Sequence, residues 1–281
     1  MLILLCGQLY QYVFTQTPYS LRFNKESLLA GSGAALSITG TLMRRQLKPP
    51  DLNKLNRDQV LSLDRVALDK SSENIALISD MTMGTCAVLP FAVSATNDEW
   101  ETSVVMYGES VLLVYGLTMM TKALVHRPRP YAYNTESHWN RSSPEASASF
   151  FSGHTSLAFN GAVFSSLLYQ KYNPDSGWIK PIWAGELTLA TVTGVFRVLS
   201  GKHFPTDVIV GAAVGSFTGW FVLRIHENSS ENQSDRSAVP PPAITLLASS
   251  GTVLGLIKPG LLSGPAWSLH FQNGIGVNYR F

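Results

Sequence analysis

From Val208 to Leu223 the chain carries no charged residue. A run of that length must leave water as a unit. Its small residues, in Val210-Gly-Ala-Ala-Val-Gly-Ser216, suit close helix packing. Five other stretches share this character. Ser27–Met43 is uncharged and ends at Arg44-Arg45, and Ile75–Thr96 is broken only by Asp80 and Pro90. Thr102–Ala123 holds Glu109 and Lys122, Thr155–Tyr172 reads as a further helix, and Trp183–Leu199 holds Glu186 and Arg197. Most of these runs are shorter than the ~20 residues a bilayer crossing needs. They fit buried helices of a bundle as well as membrane spans, and both readings stay open. The fold class is therefore all-α, a helical bundle with its polar residues at converging helix ends.

Composition supports this and narrows the function. Charged residues make up 14% of the chain, against roughly 25% in an average soluble protein. A net charge of +2 gives no bulk attraction for nucleic acid. Cys6 and Cys86 lie far apart in apolar surroundings and form neither a disulfide framework nor a zinc-ligand spacing.

The remaining segments set the organisation. Residues 1–26 read as a leader or N-terminal connection, without a charged start. Residues 27–225 form the helical domain. Within it, Asp51–Lys70 has apolar residues at helical spacing and predicts an amphipathic surface helix or a pair of short ones. Residues 226–242 are a hydrophilic linker closed by three prolines. In 243–281, alternating residues flank Asn273-Gly274, which predicts a short C-terminal β-hairpin, because that dipeptide suits a type I′ turn.

Three polar clusters stand at the ends of apolar runs. The first, Lys122-Ala-Leu-Val-His-Arg-Pro-Arg-Pro130, sets arginines in a proline-stiffened loop, where their planar forks suit a tetrahedral oxyanion. The second, Phe150-Phe-Ser-Gly-His-Thr-Ser156, opens a helix whose free N–H groups can face an anion. The third runs from Arg197 to Asp207. Pro205 biases Phe204 out of helical geometry and starts the next helix, so His203 lies just outside it and Asp207 in its first turn. The field there favours a neutral, nucleophilic imidazole. If the helices run antiparallel, all three clusters meet on one face.

Lys122 with Arg129-Pro130, Ser152-Gly153-His154, and Arg197, His203 and Asp207 in the order Arg-x5-His-x3-Asp together resemble the type-2 phosphatidic acid phosphatase superfamily, which includes the vanadium haloperoxidases. The motifs span roughly residues 100–225. Two positions depart from the family pattern: Phe151 replaces a proline and Phe196 a serine. Losing that serine hydroxyl implies either weaker phosphate binding or a gap filled by Ser200.

The resemblance implies a metal-independent phosphatase without cofactor, acting on a phosphomonoester or pyrophosphate, of a lipid or of a small phosphate ester. His203 attacks phosphorus and forms a phosphohistidine, Asp207 orients it, and His154 serves as acid and then base. Lys122, Arg129, Ser152, Gly153 and Arg197 hold the phosphate, with Arg127 as an additional partner. The location it implies is a bacterial-type inner membrane with the site facing the periplasm, or the periplasm itself. Two alternatives keep part of this reading: a vanadate-dependent haloperoxidase with the same anion cradle, and a noncatalytic phospholipid-binding envelope protein, prompted by the tail and by Phe196.

Overall fold

Each apolar run is a helix in the computed structural model, which describes residues 17–228 together with 268–271 and 275–278. The helices are α1 (Phe23–Arg44), α2 (Glu73–Ser94), α3 (Trp100–Val125), α4 (Gly153–Tyr172), α5 (Ile179–Leu199) and α6 (Pro205–His226). Their ends follow local chemistry. The Ser72 and Ser152 hydroxyls accept from the N–H groups of Ile75 and Thr155, capping α2 and α4. Pro205 opens α6, and the Asp207 carboxylate accepts from the Phe204 N–H at 2.9 Å. Helix α3 stops where His126 turns left-handed, at φ 52°.

Helix α4 is the axis of the bundle. It packs against α2, α3, α5 and α6, while α1 lies along α3. Its central turns are buried, with Phe159, Phe164 and Leu168 inaccessible to water. Contact with α6 is close because Gly215 has no side chain. A Cβ there would meet the Ser156 carbonyl oxygen at 2.0 Å. At one end of the bundle Tyr107, Phe164, Leu168 and Val222 share a core. At the other, Phe204 and Val208 pack with Leu68, Val195 and Val198. The second core lies under the polar helix ends and fixes the segment that carries His203.

Residues 51–70 differ from expectation. Instead of amphipathic α-helices they form three 3-10 turns, Leu52–Lys54, Arg57–Gln59 and Asp64–Ala67. The side chains of Asp51 and Asn56 accept from the N–H groups of Asn53 and Asp58, and such local turns compete with a continuing helix. Two four-residue strands, β1 (Ser268–Phe271) and β2 (Ile275–Asn278), pair antiparallel. The Asn273-Gly274 turn on which the expected hairpin rests lies outside the described residues, as do the leader reading and Cys6. Cys86 is fully buried and free.

Helices α2, α3, α5 and α6 are each long and apolar enough to cross a membrane. On α2 the outward face is itself apolar, with Leu77, Met81, Val88 and Phe91 exposed. An exposed apolar face of this kind marks a membrane or partner contact, and with four span-length apolar helices it fits membrane association.

Candidate active site

The three polar clusters do converge. Lys122 ends its helix buried, its Nζ donating to the Ala148 carbonyl at 2.8 Å. Arg129 reaches in from the proline loop. Its Nε donates to Glu145 O and its Nη1 to Lys202 O, both at 3.0 Å, and its Nη2 pairs with the Glu145 carboxylate. Arg197 comes from the last turn of α5 and donates to Asp80 Oδ1 at 3.0 Å. His154 stands in the first turn of α4, its Nε2 2.9 Å from the same Asp80 oxygen.

His203 is buried between these groups and Asp207. Its Nε2 lies 3.4 Å from Arg129 Nη1. A guanidinium can only donate, so Nε2 is the bare nitrogen and the proton sits on Nδ1. Nδ1 faces Asp207 Oδ2 at 3.5 Å, outside hydrogen-bond geometry. The Asp207 carboxylate is held instead by Arg127, by Ser149 Oγ and by the Phe204 N–H. Arg127 also binds Asp64, which is fully buried and accepts from Thr206. Arg127 therefore stands behind Asp207 as its anchor, away from the cavity.

A cavity of about 640 Å³ connects these residues. Five cations, Arg44, Lys122, Arg129, Arg197 and Lys202, line it against one carboxylate, Glu145. Gly153, His154 and His203 complete the polar end. Ser152 and Ser200 are absent from the lining: the Ser152 hydroxyl caps α4, and the Ser200 hydroxyl donates to the Arg197 carbonyl. From Lys122 the cavity continues along one face of α3, past Thr118, Tyr115, Leu112, Val111 and Gly108, with Met83 and Leu157 opposite. That stretch of α3 is about 21 Å long at 1.5 Å per residue.

The electrostatics follow from crowding of like charge. Burial first, then Arg129, Lys122 and Arg197, drives His203 well below the ordinary imidazole value. His154 is pushed down to about 3 by burial and then by Arg197, Lys122 and Arg129. Lys202 falls to about 8, by burial and by Arg129 and Arg197. Burial alone would raise Glu145, but Arg129, Arg44 and Lys122 together hold it below the usual carboxylate value. Both histidines rest neutral in a cavity poised for an anion.

Residues 103–231 match the family model of the PAP2 superfamily. Those residues, just under half of the chain, form a PAP2 domain. Among curated relatives it is 26% identical over 152 residues to "Lipid A 1-phosphatase" of Porphyromonas gingivalis, covering 54% of this chain and 29% of that protein. It is 31% identical over 122 residues to "Probable lipid phosphate phosphatase beta" of Arabidopsis thaliana, covering 37% and 57%. It is 37% identical over 79 residues to "Bacitracin transport permease protein BcrC" of Bacillus licheniformis, covering 28% and 34%. The chain thus spans well under two thirds of the length of each of these relatives. Among solved structures it is similar to the transmembrane PAP2 type phosphatidylglycerolphosphate phosphatase from Bacillus subtilis, at 19% identity and a TM-score of 0.40, covering 77% of this chain and 96% of that one.

The motif residues of the PAP2 domain are only part of its site. Asp80, Glu145, Lys202, Asp64 and Ser149 are not singled out by sequence, yet four of them touch a motif residue and Asp64 holds Arg127 behind Asp207. Asp80 had one visible signal, as the only charge inside the apolar run of α2. Lys202 lies within the third cluster, with its Nζ 3.0 Å above the Trp139 ring.

Proposed function

We propose that this PAP2 domain hydrolyses the phosphate of a lipid, through a phosphohistidine on His203. The observation that carries the lipid reading is the shape of the cavity. One end is a cradle of cations around two histidines, and the other is an apolar groove along α3. A soluble phosphate ester needs only the first. Burying a chain in the second gains about 0.8 kcal/mol per CH₂. Relatives named as lipid phosphatases support the same class.

The chemistry runs in two displacements. Lys122, Arg129, Arg197 and the Gly153 N–H hold the phosphate oxygens, and Lys202 adds a charge at the rim. His203 attacks phosphorus through Nε2, forming an N–P bond as the P–O bond to the lipid breaks. Its Nδ1–H keeps the proton, and Asp207 offsets the positive charge on the ring. His154 gives its proton to the leaving alkoxide. The bound phosphate supplies negative charge among the cations and so raises His154 from its resting value to where it can carry that proton. In the second step His154 takes a proton from water, whose oxygen attacks phosphorus. The N–P bond breaks and phosphate leaves. Asp80, bonded to both His154 and Arg197, keeps the acid and one clamp in register. The four apolar helices would then cross the membrane, with the polar helix ends at one face.

A panel of phosphatidate, phosphatidylglycerophosphate, an isoprenyl pyrophosphate, lipid A and a soluble phosphate ester, all in detergent, tests this. At least one lipid should be turned over with a kcat/KM roughly 100-fold or more above the soluble ester, the equivalent of a few buried methylenes. Equal rates on the soluble ester, or no phosphate release from any member, would contradict it.

A further inference from the structure

At the end of the bundle away from the histidines, three side chains from three helices meet. They are Glu26 in the first turn of α1, Glu109 in α3 and His226 at the end of α6. One donor atom from each lies within 4.8 Å of the others. Glu109 and Lys122 are about 20 Å apart along α3, from 1.5 Å per residue, so the cluster is remote from the cationic end of the cavity, and none of its three residues lines that cavity.

The ring of His226 has a fixed orientation. Its Nδ1 is 2.7 Å from the Val222 carbonyl oxygen, which can only accept, so Nδ1 carries a proton. Nε2 faces the carboxylates, 3.2 Å from Glu26 Oε1 and 3.4 Å from Glu109 Oε2. Backbone bonds hold the residue on the far side: the Ser20 N–H donates to the His226 carbonyl at 3.0 Å, and Asn228 N–H to that of Pro18 at 3.1 Å.

The carboxylates are short of partners. Both oxygens of Glu109 and Oε2 of Glu26 are buried without a hydrogen bond, and the Glu109 side chain is 5% exposed. An acid so placed in an apolar helix is costly unless a positive charge meets it. Lys25, the adjacent cation, donates to the Ile225 carbonyl at 2.6 Å instead. A proton on Nε2 would serve one carboxylate oxygen and leave the others bare. A divalent cation serves all three groups at once. Metal–ligand bonds of 2.0–2.1 Å in a tetrahedral set place ligand atoms about 3.3 Å apart, and the two His226 spacings lie on either side of that. Imidazole with carboxylates is a ligand set of zinc and its first-row neighbours, and a ligating histidine characteristically gives its other N–H to a carbonyl.

We propose that Glu26, Glu109 and His226 bind a divalent transition-metal cation of the zinc class, which ties α1, α3 and α6 together at the end of the bundle remote from catalysis. The test uses the full chain purified in detergent, stripped with chelator and dialysed against Zn²⁺ or Co²⁺. One ion per chain is expected, with visible Co²⁺ absorption and a thermal midpoint raised by Zn²⁺. Glu109→Gln and His226→Gln should each weaken binding at least about 10-fold, while His154→Ala retains it. No stoichiometric ion in the wild-type chain overturns the proposal, and so does unchanged binding in both glutamine variants. Binding lost in His154→Ala alone would place the ion in the phosphate cavity and overturns it as well. Should the glutamine variants fail to fold, wild-type stoichiometry and the chelator-sensitive midpoint decide the matter.

Discussion

Which nitrogen of His203 is bare decides what the residue can do. Arg129 approaches Nε2 and leaves the proton on Nδ1, so the lone pair points toward the cation cradle. Arg127 and Ser149 fix the Asp207 carboxylate behind the ring, and Asp64 fixes Arg127 in turn. Lys202 is a cation of the cradle whose charge changes just above physiological pH. Burial and two neighbouring arginines lower it to about 8. A lowered lysine is charged below that value and loses its charge as pH rises through it, so its pull on phosphate fades above pH 8. KM for a lipid phosphate should therefore rise between pH 8 and 9.5 with kcat little changed. In Lys202→Arg, where the charge persists, KM should stay flat over the same range. A pH series of KM for both proteins checks this, and identical profiles would remove Lys202 from phosphate binding.

At the scale of elements, the site depends on how closely α4 and α6 cross. His154 opens α4, and His203 directly precedes α6, so their separation is set by that contact. Gly215 sits against the Ser156 carbonyl with no room for a Cβ. Gly215→Val would force the two helices apart. It should destabilise the protein by about 1–3 kcal/mol, as overpacking does, and lower kcat by displacing His154 relative to His203. Thermal unfolding and initial rates measure the two effects, and a variant with wild-type midpoint and kcat would contradict this account of the crossing. Helix α3 has a different task. Its Lys122 end closes the cradle, and the face below it forms the groove wall.

For the molecule as a whole, much was legible because charge is scarce. The positions where it appears, Arg44, Lys122, Arg197 and Asp207, mark helix ends, and those ends meet around one cavity. Pro205 and Ser152 marked two helix starts directly. Residues 51–70 misled, because apolar spacing ignores the Asx turns that Asp51 and Asn56 make with their own backbone. Asp80, Glu145 and Lys202 escaped for another reason. Their importance lies in contacts between distant segments, such as Asp80 with His154 and Arg197, which local pattern does not encode. Ser200 looked like a substitute for the hydroxyl missing at Phe196, but it is used within its own turn.

The central claim is that His203 becomes covalently phosphorylated. Brief mixing of the purified chain with a lipid substrate carrying a radiolabelled phosphate, followed by alkaline denaturation, traps an N–P bond, which base preserves and acid cleaves. Label on His203 in the wild-type chain, absent in His203→Ala together with a loss of several orders of magnitude in rate, is the result predicted. Full turnover with no label on the protein at any time, or turnover retained in His203→Ala, would contradict it.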